Sequence, residues 1–132
     1  MEIIVSNEQG RLPVTVFRIK GDIDMATSEQ LRAQARQAFE AGTRNLLIDL
    51  AGAPYMSSAG IRALNDIFGL LRGDSAAESD EAMRKGLAAG TFKSPHLKLL
   101  NPTRSVLQVL SMTGVDMFLE IHHNLKDAIA SF

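Results

Sequence analysis

The chain has 132 residues, with 14 Lys+Arg against 15 Asp+Glu, 45% apolar residues and no cysteine. That length suits one domain with a core of its own, and the missing cysteines exclude disulfides, thiolate nucleophiles, iron-sulfur clusters and cysteine zinc sites. A formal charge of -1 supplies no global attraction to nucleic acid or to an acidic membrane, so the expected partner is another protein or a small ligand.

The opening MEIIVSNEQG carries an acidic residue at position 2 and has neither a basic n-region nor a long apolar core, so it does not read as a signal peptide. The longest helical apolar stretch, Ile61 to Leu71, is interrupted by Arg62, Asn65 and Asp66, far short of the roughly 20 apolar residues that cross a bilayer. A cytoplasmic protein without membrane insertion is expected.

Two short strands are predicted at residues 2 to 6 and 13 to 20, joined by a turn over Asn7 to Arg11. In the second, Thr15, Phe17 and Ile19 share one face and Val14 and Val16 the other, which predicts cover on both sides. After Gly21 and the acidic Asp22-Ile23-Asp24, Thr27 with Gln30 has capping-box spacing, and Leu31, Ala35, Ala38 and Phe39 form a helical stripe that Gly42 would stop. Residues 45 to 50, NLLIDL, are an apolar run of strand length that suits a buried central strand. A strand, a helix and a strand imply a right-handed crossover and parallel pairing.

The next helix should start near Ser57 or Ser58 and run to about Leu71, with Ile61, Leu64, Ile67, Phe68 and Leu71 on one face. Residues 72 to 96 are small, polar and glycine-bearing and read as an insertion, in which Ser75 with Glu78 could cap a further helix. A strand around Leu97 to Leu100 follows. Asn101-Pro102 then reads as a cap and a first helical position, Val106, Leu107, Val109 and Leu110 as a helix stripe, and Gly114 as its stop. A last strand is expected over Phe118 to His122, then a helix capped by Asn124 with Leu125, Ala128, Ile129 and Phe132 facing inward. The alternation predicts a single α/β domain over 1-132 with a mixed sheet and a polar insertion at about 72-96.

Most catalytic designs are missing. There is no GxxxxGK[ST], GxGxxG, HExxH or GxSxG pattern, so no catalytic residue, metal site or cofactor is assigned. His122 and His123 are adjacent in a predicted strand and point to opposite faces, and His96 ends the insertion. Asp22 and Asp24 could form an acidic pair, or could simply cap the next helix. Asp49, at the carboxyl end of the central strand, sits where open α/β sheets bind ligands; an aspartate-based receiver or metal-dependent enzyme would place its key residue there. The strongest signal is Pro54-Tyr55-Met56-Ser57-Ser58-Ala59-Gly60-Ile61. Its serines lie at a helix N-terminus, where free N–H groups and the dipole accommodate an anion, although serine is also a preferred plain N-cap.

On these residues the sequence resembles the STAS-domain family, and within it the bacterial anti-sigma factor antagonists. The resemblance rests on Gly21-Asp22-Ile23-Asp24 after a strand, on Leu47-Ile48-Asp49-Leu50, on the turn Tyr55 to Ile61, and on Asn101-Pro102 through Leu110 to Gly114. It implies a STAS-like fold, a mixed sheet of about five strands with helices packed mainly on one face, and no enzymatic activity. It further implies a switch: the unphosphorylated protein binds an anti-sigma factor kinase of histidine-kinase-like ATPase fold and frees the sigma factor, phosphorylation at Ser58 ends this, and a metal-dependent serine phosphatase resets it. The chain has Ser57 where Asp is frequent and Ala59 where a second hydroxyl is frequent, which makes Ser57 a lesser phosphorylation candidate. The implied docking surface comprises Asp22, Asp24, Ser57, Ser58, Gly60, Ile61, Arg62 and Asn65. The alternative is a STAS module that is not phosphorylated and serves as a scaffold in a transport or signalling complex. A homodimer, with the insertion pairing two copies, stays open.

Overall fold

In the computed structural model, which describes residues 1-72 and 93-132, strands β1 (Glu2–Gln9), β2 (Pro13–Lys20), β3 (Leu46–Gly52), β4 (Leu97–Leu100) and β5 (Ile121–His122) form one sheet in the order β1-β2-β3-β4-β5. β1 runs antiparallel to β2 and every later pair is parallel. Helices α1 (Ser28–Glu40), α2 (Ser58–Arg72) and α3 (Arg104–Thr113) each join two parallel strands, and α4 (Leu125–Ala130) follows β5. Because the strands add in one direction, right-handed crossovers put all three connecting helices on the same face.

The two faces are unequal. On one, Phe17, Ile19, Leu46, Ile48, Leu50, Leu97 and Leu99 of the sheet pack with Leu31 and Ala35 of α1, Ile61, Leu64 and Ile67 of α2, and Val106 and Leu110 of α3. On the other, Val14, Val16, Leu47 and Leu100 meet, among the described residues, α4 and its end, through Ala128 and Phe132 with Leu125 and Ile129 beside them. The predicted double cover of β2 and β3 follows from this arrangement.

Several local expectations are corrected. β1 extends to Gln9, since Asn7, Glu8 and Gln9 complete an antiparallel ladder with Thr15, Val14 and Pro13; their polarity suits an edge strand and not a turn. Thr27 does not cap α1 with its side chain, and Gln30 reaches Met1 O instead of closing a capping box. Gly42 does stop that helix: at φ 112° its N–H donates to Phe39 O at 3.0 Å and the Thr43 N–H to Ala38 O at 2.9 Å, the paired bonds of a Schellman end. The cap of α3 is Thr103, whose Oγ1 accepts from Val106 N at 3.3 Å, and not Asn101, which sits at φ 50°. Only Ile121 and His122 of the predicted last strand pair with β4, because Val115–Met117 form a 3-10 turn that runs into Phe118. Of the predicted insertion, residues 73-92, including the Ser75 and Glu78 pair, lie outside the described residues.

A charged latch holds α4. Lys98 is 3% exposed; its Nζ donates to Ser131 O at 2.9 Å and Ser131 Oγ at 3.1 Å, pairs with Glu120 Oε2 at 3.0 Å, and stands 4.9 Å from the Phe132 ring centroid. Glu120 Oε1 lies 3.1 Å from His122 Nε2. Burial pushes the Glu120 carboxyl up, but Lys98 and His122 together outweigh it and hold the group below its ordinary value. Asn124 caps α4 as expected, accepting from Asp127 N at 3.0 Å. No described helix is long and apolar enough to cross a membrane.

Candidate functional site

The two sequence segments that drew attention, 21-24 and 55-58, meet where β2 and β3 end. The Gly21 N–H donates to Gly52 O at 2.9 Å, the Ile23 N–H to Tyr55 O at 3.0 Å and the Ser57 N–H to Ile23 O at 2.9 Å, so an isolated parallel bridge between Ile23 and Met56 carries the sheet pairing past its last regular residues. Ile23 and Met56 are 0% and 1% exposed. The joint is made by backbone bonds and buried apolar side chains, so its cohesion does not draw on the polar side chains around it.

Gly60 explains how α2 can start so close to this joint. A Cβ there would come within 2.6 Å of Met56 Cγ, 2.9 Å of Ile23 Cγ2 and 3.1 Å of Ile23 O. Any side chain would push the helix off the bridge.

The serines divide two roles that the sequence leaves joined. Ser57 is half-buried; its Oγ accepts from Ala59 N at 3.2 Å and its carbonyl from Ile61 N at 3.2 Å, so it is the N-cap of α2. Ser58, the first helical residue, is exposed, and its hydroxyl has no hydrogen-bond partner among the described residues. Capping therefore consumes one hydroxyl and leaves the other facing solvent at a helix N-terminus.

The acidic pair does not act as a pair. Asp24 Oδ1 accepts from Ala26 N at 3.0 Å, Thr27 N at 3.1 Å and Thr27 Oγ1 at 3.1 Å, closing the turn into α1, while Asp22 is exposed. Asp49 points to the α4 face of β3, where its Oδ2 lies 3.7 Å from Arg18 Nε and its Oδ1 accepts from Ala51 N at 3.0 Å. Among the described residues no three His, Cys, Asp or Glu side chains cluster as metal ligands. His96 bonds through Nδ1 with Asn45 Oδ1 at 3.3 Å; burial pushes its pKa below the ordinary value, against a smaller upward pull from the Arg44 backbone.

On α2, Arg62 and Asn65 are exposed beside Ser58 at helical spacing. Ile61, expected to offer part of its surface, is 7% exposed and belongs to the core, and Gly60 is buried at the joint. Sequence reasoning also missed Met25, 78% exposed two residues beyond Ile23. Its one visible signal was a large apolar residue in a loop outside every helical stripe.

The sequence profile of the STAS domain family matches residues 5-75. No curated protein matches the chain. An anti-sigma factor antagonist from Mycobacterium paratuberculosis superposes with a TM-score of 0.70 at 18% identity, over 98% of this chain and 92% of that one. The anti-sigma factor antagonist SpoIIAA in its unphosphorylated form gives 0.60 at 19% identity, over 96% and 93%. The Bacillus cell fate determinant SpoIIAA in the phosphorylated form gives 0.55 at 20% identity, over 96% of both chains. At these identities the likeness establishes the fold, a single SpoIIAA-like α/β domain.

Proposed function

The chain belongs to the STAS domain family, and from that premise we propose that it is a cytoplasmic anti-sigma factor antagonist. Its unphosphorylated form binds an anti-sigma factor serine kinase of histidine-kinase-like ATPase fold and so releases the sigma factor; phosphorylation of Ser58 ends the binding, and a metal-dependent serine phosphatase restores it. The observation that supports this reading is the division between the serines, with Ser57 spent on the cap and the Ser58 hydroxyl exposed and unpartnered among the described residues. In the transfer the Ser58 Oγ bonds to the γ-phosphorus of ATP held by the partner, its proton departs and ADP leaves.

Asp22, Met25, Ser58, Arg62 and Asn65 form the exposed docking surface, which Asp24, Ser57, Gly60 and Ile61 shape from beneath. A phosphate adds about -1.5 to -2 charges, and at a helix N-terminus it favours the helix. The modification therefore acts at the interface and leaves the fold intact. An anion that must be desolvated against a partner surface needs to cost only about 2.7 kcal/mol to weaken binding a hundredfold.

Incubation with ATP and the anti-sigma factor kinase encoded nearest to the chain's own gene, followed by fragment mass spectrometry, tests the assignment. One phosphate on Ser58, abolished by Ser58→Ala, is expected. No label on Ser58 or Ser57, together with unaltered kinase binding by Ser58→Glu, would overturn it and leave a binding module that is not phosphorylated.

A further inference from the structure

Arg62 lies one turn along α2 from Ser58. Residues four apart on a helix have Cβ atoms about 5-6 Å apart, and side chains lean toward the helix N-terminus, so the usual helical rotamers bring an Arg62 guanidinium within reach of the turn that holds the serine. It is exposed and has no ion pair or hydrogen bond among the described residues. The carboxylates on the helical faces beside it are already committed. Asp66, the carboxylate four residues further on that would compete for Arg62, is bound by Arg32 Nε at 2.7 Å, and Glu29 takes Arg36 at 2.9 Å and Arg32 at 3.4 Å.

Resting on the reading of Ser58 as the phosphorylated residue, we propose that Arg62 receives the phosphate of modified Ser58 and is thereby withdrawn from the docking surface. A guanidinium offers a planar fork of donors that matches a phosphate, and the N-terminus of α2 adds positive potential on the other side. Before modification the surface presents a free cation to an acidic group of the partner. Afterwards it presents an internal ion pair with net negative charge. Phosphorylation thus removes an attractive contact as well as adding a repulsive one.

The test uses the full chain with phosphoserine genetically encoded at position 58, so its outcome does not depend on any kinase. The second pKa of the phosphate is measured by phosphorus NMR titration with Arg62 intact and in Arg62→Gln. Asp22 and Asp24, the carboxylates at this end, and the helix N-terminus act equally in both proteins and cancel from the difference. Intact Arg62 is expected to lower that pKa by about 0.3 of a unit, an approximately twofold change in the proton dissociation constant. The same titration in both proteins would overturn the role of Arg62, whereas failed labelling of Ser58 by a kinase would overturn the reading beneath it.

Discussion

The serine turn and the C-terminal latch both bring polar residues together beside parallel strands, and they spend those residues in opposite ways. At the turn, backbone bonds between Ile23, Tyr55 and Ser57 do the joining, and Ser58, Arg62 and Asp22 are left exposed. At the latch the side chains do the joining: Lys98 reaches Ser131 and Glu120, and Glu120 reaches His122. A buried charge must be fully paired to be tolerated, so the latch has no group to spare for a partner. The turn keeps a hydroxyl and a cation in reserve because its own cohesion does not need them.

If that contrast is right, the two regions should break differently. The largest loss is expected from Lys98→Ala, which leaves Glu120 with His122 alone, takes the donor from the Ser131 carbonyl and removes packing on Phe132. Allowing for a Glu120 side chain that is 34% exposed, the cost should be about 2-3 kcal/mol, read by urea denaturation. Next comes Gly60→Ala, which drives a methyl against Met56 and Ile23 and should cost about 1-3 kcal/mol, with amide shifts centred on residues 23 and 56. Ser57→Ala removes the α2 cap and should cost about 1 kcal/mol, while Ser58→Ala, which breaks no hydrogen bond among the described residues, should leave the melting temperature unchanged. Equal losses for the two serines would contradict the division of roles.

The smallest effect is on pH dependence. The Glu120 carboxyl is held below its ordinary value of 4.5 in the folded chain, so its contribution is present above pH 4.5 and is lost as pH falls through the lower folded-state value. His96 acts in the same direction from higher pH. Its pKa is lowered from 6.5, so the folded state resists protonation and stability declines as pH falls below 6.5. Thermal melts between about pH 7 and pH 3 should show both steps, with His96→Gln removing the upper and Glu120→Gln the lower.

Long-range architecture was legible in the sequence where burial imposes a period. The apolar run at 45 to 50 and the stripes of α1 and α2 gave the strand and helix assignments and the parallel pairing, whereas the one-sided layer of helices was implied by the resemblance and follows from the strand order of the structure. Local polar chemistry was not legible. Asn101-Pro102 and Thr103 are all plausible helix starts by residue type, and only tertiary packing selects Thr103; likewise Asp24 and Thr27 bond to each other across the turn into α1, where residue type alone leaves either as its cap. Lys98 looks like any surface lysine until α4 folds over it. At the site, the motif located the turn, but which serine caps depends on the Ile23 to Ser57 bond, a contact between segments more than thirty residues apart that no local pattern encodes.

A charge on Ser58 is expected to govern partner binding without altering the fold. The decisive experiment is titration calorimetry of the anti-sigma factor kinase against the unmodified chain, the Ser58 phosphoprotein and Ser58→Ala. Roughly hundredfold weaker binding is expected for the phosphoprotein than for the unmodified chain, with Ser58→Ala far closer to the unmodified chain and with amide shift changes in both confined to the residues around position 58. Equal affinity of the phosphorylated and unmodified chains would contradict it.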